Sequence, residues 1–351
     1  MAAIALAQTK SSFRSIGAIV FALAILTLSL MFMSAAIGAF HVPPLTLLSI
    51  LYEAVGGTGW IEPSATERGI VLGIRLPRIL LGALVGANLA LGGSVMQGLF
   101  RNPLADPGLI GISPGAAVAA VTVIVLGAPA IFGSAAVPIA AFIGGLAATV
   151  FVFSIGTRSG VTTVTVMLLA GIGVNALAQS MTGYLVFRSN EFQLRDFTFW
   201  TLGSLAGARW DVLQIAGPIL LIPLMLLPML ARGLNAVVLG EREARYLGVE
   251  VQRLKIAAVI LTALGVGVAT SMAGILGFVG IVVPHIIRLL GGADHRFLLP
   301  ASIFTGASFL ILADIVARTV VVPAELPLGV VTAAVGAPFF LWLIVQRRVR
   351  V

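Results

Sequence analysis

The residues best equipped for chemistry lie between Arg232 and Lys255, where Glu241, Arg242, Glu243, Arg245, Glu250, Arg253 and Lys255 crowd together in an otherwise apolar chain. Carboxylates and guanidinium groups at this spacing form ion pairs and charge-assisted hydrogen bonds, the means by which a water-facing segment grips another protein. The string LNAVVLGEREARYLGVEVQRLK predicts two short helices broken at Gly240. A solvated loop is the alternative that the segment alone leaves open. Elsewhere, Arg75 and Arg78 precede a long apolar run, and Arg318 closes another with Asp314 one turn before it. In VTVMLLAGIGVNALAQSMTGYLVF, Met167, Gly171, Asn175, Gln179 and Met181 recur at near-helical spacing as a small, polar and thioether-bearing stripe. That stripe suits weak contacts to a passing ligand, and equally hydrogen bonds between helices. No H-E-x-x-H motif, paired carboxylates or nucleophile and base pair appears in the apolar runs, which argues against an enzyme. His41, His285 and His295 are scattered, and the absence of cysteine excludes disulfides and thiolate metal sites.

The elements that must position these groups follow from composition. With 59% hydrophobic and 10% charged residues and a mean hydropathy of +1.12, the chain cannot make a soluble surface, which needs roughly 25% charge. Apolar runs long enough to cross about 30 Å of hydrocarbon recur from end to end. They predict an all-α, polytopic membrane protein of ten helices, near 15–38, 76–99, 107–127, 134–156, 162–187, 210–231, 254–273, 276–291, 298–320 and 327–345. The whole chain, 1–351, reads as one transmembrane domain, with 232–255 as a loop inside it. Forty glycines and seventeen prolines let backbones approach closely and permit kinks. Counting along alternate sides puts 14 of the 21 basic residues on one face, among them Lys10, Arg14, Arg101, Arg158, Arg242, Arg288, Arg347, Arg348 and Arg350. That face is predicted to be cytoplasmic, with both termini on it. The net charge of +8 then reflects topology and implies no nucleic acid. The segment RDFTFWTLGSLAGARW, 195–210, predicts a short outer helix with Trp200 and Trp210 at the interface and Trp200, Gly203 and Ser204 as an outer gate.

Four blocks carry a resemblance. RLPRILLGALVGANLALGGSVMQGLFRNPLADPGLIGISPGAA (75–117), LGEREARYLGV (239–249), GFVGIVVPHIIRLL (277–290) and the long 294–344 block occur in order over nearly the whole chain. Together they resemble the permease subunits of ATP-driven importers of iron-siderophores, heme and vitamin B12. The resemblance implies a homodimer with the path on its twofold axis, two cytoplasmic ATPase subunits and a periplasmic binding protein, in a bacterial inner membrane. No G-x-x-x-x-G-K-[ST] phosphate loop occurs in the 351 residues, so ATP and magnesium are expected on the partner ATPase and no cofactor on this chain.

By the same resemblance, Gly240, Glu241, Ala244, Leu247 and Gly248 are expected to contact the ATPase; a loop folded back on its own bundle is the alternative. Arg75, Arg78 and Arg318 are expected to dock glutamates of the binding protein, with interfacial anchoring as the alternative. Met167, Gly171, Asn175 and Gln179 are expected to line the path. The RDFTFWTLGSLAGA stretch resembles heme-importing members more than vitamin B12 members, although siderophore permeases carry a similar stretch. The Gly-rich second span followed by Pro103 is loosely mirrored by the seventh followed by Pro284, an inverted-repeat-like echo that also suits an ion-coupled secondary transporter. Such a carrier needs an ionisable group within the membrane, for which Asp314 is the candidate.

Overall fold

The computed structural model describes the backbone of residues 2–38 and 40–348, and side chains from Ile16 onward except those of Ala39, Ala130, Phe132, Ile344 and the residues after Val345. Lys10, Arg14, Arg347, Arg348 and Arg350, used in the charge count, lie outside the described side chains. In chain order the helices are α1 (Ala2–Ala36), α2 (Pro44–Ala54), α3 (Ala65–Arg68), α4 (Leu76–Phe100), α5 (Ile112–Val125), α6 (Ala128–Phe132), α7 (Ala136–Gly156) and α8 (Val164–Arg188). They continue as α9 (Glu191–Leu202), α10 (Trp210–Leu226), α11 (Ala231–Leu239), α12 (Glu241–Tyr246), α13 (Val251–Ala273), α14 (Val279–Gly291), α15 (His295–Thr319) and α16 (Leu328–Arg348). A π-helical turn, Gly69–Arg75, joins α3 to α4, and a two-residue β-hairpin, Thr157–Arg158 with Val161–Thr162, joins α7 to α8.

Each of the ten predicted spans falls on a helix. Seven helices among the described residues are long and apolar enough to cross a membrane, and the remaining three spans are shorter apolar helices at Ile112–Val125, Val279–Gly291 and Leu328–Leu343. The shortening has a local cause. A 3-10 turn over Pro107–Ile110 precedes α5, and Phe278, at φ 69°, turns the chain sharply before α14. Irregular backbone at such depth is tolerated where protein surrounds it.

The centre of the bundle is α4, buried over nearly its whole length against α13, α14 and α15. Apolar burial cannot drive helices together in lipid, so close packing and hydrogen bonds must do so. Against α15 they do so from one end to the other. Arg78 pairs with Asp314 near the N-terminal end of α4, and the backbones touch at Gly86 and Gly306. A Cβ placed on Gly86 would lie 2.3 Å from Gly306 O, and one on Gly306 would lie 2.4 Å from Gly86 O. Further along, Ser94 and Ser302 share a 2.8 Å hydrogen bond, and Gly98 makes room for the His295 ring. Asn88 donates to Leu84 O and Leu220 O, which ties α4 to α10 as well. Each such interhelical bond contributes on the order of 0.6 kcal/mol.

At the periphery, α1, α7 and α8 leave most of their surface open. α10 carries Pro218 and Pro223 and runs through a 3-10 turn at Leu227–Leu230 into α11, so the chain bends here before the charged segment.

Candidate functional site

Three groups of residues matter, and the first is the N-terminal end of α4. Arg75 donates from Nη1 to Ala35 O (2.6 Å) and Ala36 O (3.0 Å), and from Nη2 to Phe40 O. It therefore caps the C-terminal carbonyls of α1, where a cation is favoured. Arg78 places Nε and Nη2 on Asp314 and Nη1 and Nη2 on Glu325, all between 2.8 and 3.0 Å. Arg318 bonds Asp314 at 3.0 Å and reaches Ser34 Oγ at 2.8 Å. Arg75 and Arg78 are buried and Arg318 half-buried, each engaged inside the protomer. Asp314 and Glu325 arrive from the far end of the chain and occupy the forks. Glu325, in the loop between α15 and α16, is held below the usual carboxylate range by hydrogen bonds from Arg78. Asp314 is held by both Arg78 and Arg318.

The second group is the charged segment. Gly240, at φ 136° and ψ 149°, breaks α11 from α12 in a conformation that a side chain would not tolerate. Ala244 is fully buried and packs with Ala236, Val237, Val251 and Leu254, which seats the short α12 on the bundle. It cannot touch a partner as expected. Glu241 also turns inward, 2.7 Å from the Lys255 ammonium. Leu247 and Gly248 are exposed. Sequence reasoning missed their neighbours: Tyr246 is 77% exposed, and the Arg242 guanidinium lies 5.9 Å from its ring centroid. An exposed apolar residue C-terminal to a charged run is the signal that would have found Tyr246.

The third group is α8 with α9. Met167 and Gly171 face the interior of the protomer: Met167 packs on Gly156, and a Cβ on Gly171 would lie 1.9 Å from Leu109 O. Both are packing residues and do not line an open face, which corrects their expected place in the path. Asn175 is half-buried and Gln179 is exposed, beside Leu169, Ile172, Leu177, Met181 and Tyr184 on the open face of α8. α9 starts earlier than predicted because Asn190 and Gln193 form a reciprocal capping box. Trp200 stacks on Phe197 and packs against α5. Gly203 O accepts from Leu328 N (2.9 Å) and Ser204 N donates to Ala273 O (3.0 Å), so the end of α9 is stitched to α13 and α16. Of the three expected gate residues, only Ser204 is exposed.

The profile of the FecCD transport family matches residues 22–346. The chain belongs to the FecCD transport family. Its relatives include the hemin transport system permease protein HmuU of Yersinia pestis, 46% identical over 281 residues, 80% of this chain and 84% of the relative. The cobalamin import system permease protein BtuC of Halobacterium salinarum is 44% identical over 307 residues, 88% of this chain and 81% of the relative. A solved structure described as an inward-facing conformation of a metal-chelate type ABC transporter superposes with TM-score 0.82 at 30% identity, covering 94% of this chain and 99% of that one. This FecCD chain is therefore a multi-pass permease of the ABC importer class.

Proposed function

We propose that the chain moves heme or a similar iron chelate across a bacterial inner membrane, as one half of a homodimer driven by two cytoplasmic ATPase subunits. The observation that carries this reading is α12: a helix too short to stand alone, seated by buried Ala244 and presenting Arg242, Tyr246 and Leu247 outward on the face predicted to be cytoplasmic. Such a knob suits a cleft on an ATPase, which holds the ATP and magnesium. The open face of α8, including Gln179 with Asn175 at its edge, lines the path together with a second copy of the chain. A periplasmic binding protein delivers the cargo to the outer face, where Glu325, with 41% of its side chain exposed, is the charge of the arginine cluster still open to it.

Heme is favoured over cobalamin by the hemin permease relative, at 46% against 44% identity, and by the residues at 195–208. The test is uptake by the reconstituted complex of permease, ATPase and binding protein in vesicles loaded with ATP, with heme, a ferric siderophore and cobalamin offered separately. Concentrative, vanadate-sensitive accumulation of heme supports the reading. Accumulation of cobalamin alone replaces the cargo, and uptake by the permease alone on an ion gradient overturns the ABC mechanism.

A further inference from the structure

A lysine side chain is almost never fully buried without a reason, because removing an ammonium from water costs several kcal/mol unless partners replace the water. Lys255, near the start of α13, has only 2% of its side chain exposed. Its Nζ lies 2.7 Å from Glu241 Oε1, the first residue of α12, and donates to Thr162 O at 2.6 Å. Thr162 is the last residue of the β-hairpin and stands two positions before α8. One helical turn before Lys255, Gln252 completes the grip: its Oε1 accepts from Thr162 N (3.0 Å) and its Nε2 donates to Thr162 Oγ1 (2.7 Å). Every polar atom of Thr162 is thus bound by α13, and the same ammonium binds α12. The hairpin adds stiffness, with Thr157 Oγ1 and Thr162 Oγ1 at 2.7 Å and Thr163 N on Gly156 O.

We propose that Lys255 is a positioning residue that delivers displacement of α12 to the start of α8, with Gln252 holding the receiving end. This rests on the reading of α12 as the ATPase contact. A salt bridge is suited to the task. Buried ion pairs add little net stability compared with apolar packing but fix registry, and this one fixes α12, α13 and the entrance to α8 in one arrangement. A solvent-open cleft of about 610 Å³ lies alongside, walled by Gly160, Glu241, Arg245, Gly248 and Gln252. The Lys255 ammonium bonds α12 and the hairpin directly, beside the indirect ties through α13 that Ala244 makes to Val251 and Leu254 and that Gln252 makes to Thr162.

The test uses the complete complex with its ATPase and binding protein. Lys255→Met keeps the apolar stem and removes the charge, and is expected to lower cargo moved per ATP hydrolysed on the order of tenfold, while Lys255→Arg restores a substantial part. Gln252→Leu, which leaves the buried charge pair intact, is expected to lower the same ratio and serves if Lys255→Met does not assemble. The chain has no cysteine, so Glu243→Cys and Ser159→Cys can carry spin labels with no background from the permease, which is labelled before assembly with its partners. In the otherwise unaltered chain their separation should stay constant between nucleotide-free and ATP-bound states, and in the Lys255→Met or Gln252→Leu chain it should change. An unchanged transport ratio in both variants, or a label separation insensitive to them, overturns the proposal. If instead the ATPase binds normally after disruption of Tyr246 and Leu247, the reading of α12 fails, and that result is distinguishable from failure of the Lys255 link.

Discussion

Arg78 donates from both Nε and Nη2 to a single oxygen of Asp314, at 3.0 and 2.8 Å, joining two helices at residues 236 positions apart. Both side chains are at most 10% exposed. Removing one partner from such a pair leaves the other charge buried, which costs about 3–5 kcal/mol. Arg78→Met should fall at the lower end of that range, since Arg318 still contacts Asp314. Arg78→Lys should recover little, because an ammonium cannot reproduce the fork. Thermal unfolding in detergent measures both. A variant with unaltered unfolding but weakened capture of the binding protein would support the docking role expected from the sequence.

The same cluster gives a pH dependence. Hydrogen bonds from Arg78 hold Glu325 below its ordinary value, so its contribution is present above the unfolded glutamate pKa of about 4.3 and is lost as pH falls through the lower folded value. Stability should therefore decline in acid below about pH 4.3 more steeply in the wild-type chain than in Glu325→Gln. Parallel unfolding curves for the two at pH 6 and pH 3.5 would remove Glu325 from the account.

On the predicted cytoplasmic side, exposure separates binding from folding. Leu247→Asp and Tyr246→Ala lie on the surface and should weaken ATPase capture about 5- to 30-fold with little change in unfolding. Ala244→Asp buries a carboxylate under α12 and should disrupt the segment itself. Affinity for purified ATPase, measured beside thermal stability, distinguishes these outcomes.

The crossing of α4 and α15 allows no added carbon. Gly86→Val or Gly306→Val must drive a side chain into the opposing carbonyl, at a cost of at least about 1–3 kcal/mol. Gly183→Ala, which meets nothing within 4 Å on α8, should be neutral. Equal yields of folded protein from all three would contradict the packing described.

Much of this was legible in the residues. Run lengths placed the ten expected spans on helices, and Gly240 marked the break before α12. Long-range geometry was not legible. Arg75 and Arg78 read as free cations because nothing local reveals that Ala35 O, Asp314 and Glu325 reach them. The α8 stripe was drawn through Met167 and Gly171 by residue type, yet small and thioether side chains serve packing as readily as a path. Lys255 read as one more solvated charge, because its partner Thr162 lies in TRSGVT, a string that looks like an ordinary turn.

The stitches between α4 and α15 have a mechanical outcome. Ion pair, glycine crossing, serine pair and the imidazole against Gly98 bind the two rods along their common length, so neither can twist or slide past the other. They form the keel of the protomer. Motion within the permease is then expected in elements outside that keel, the open helix α8 foremost.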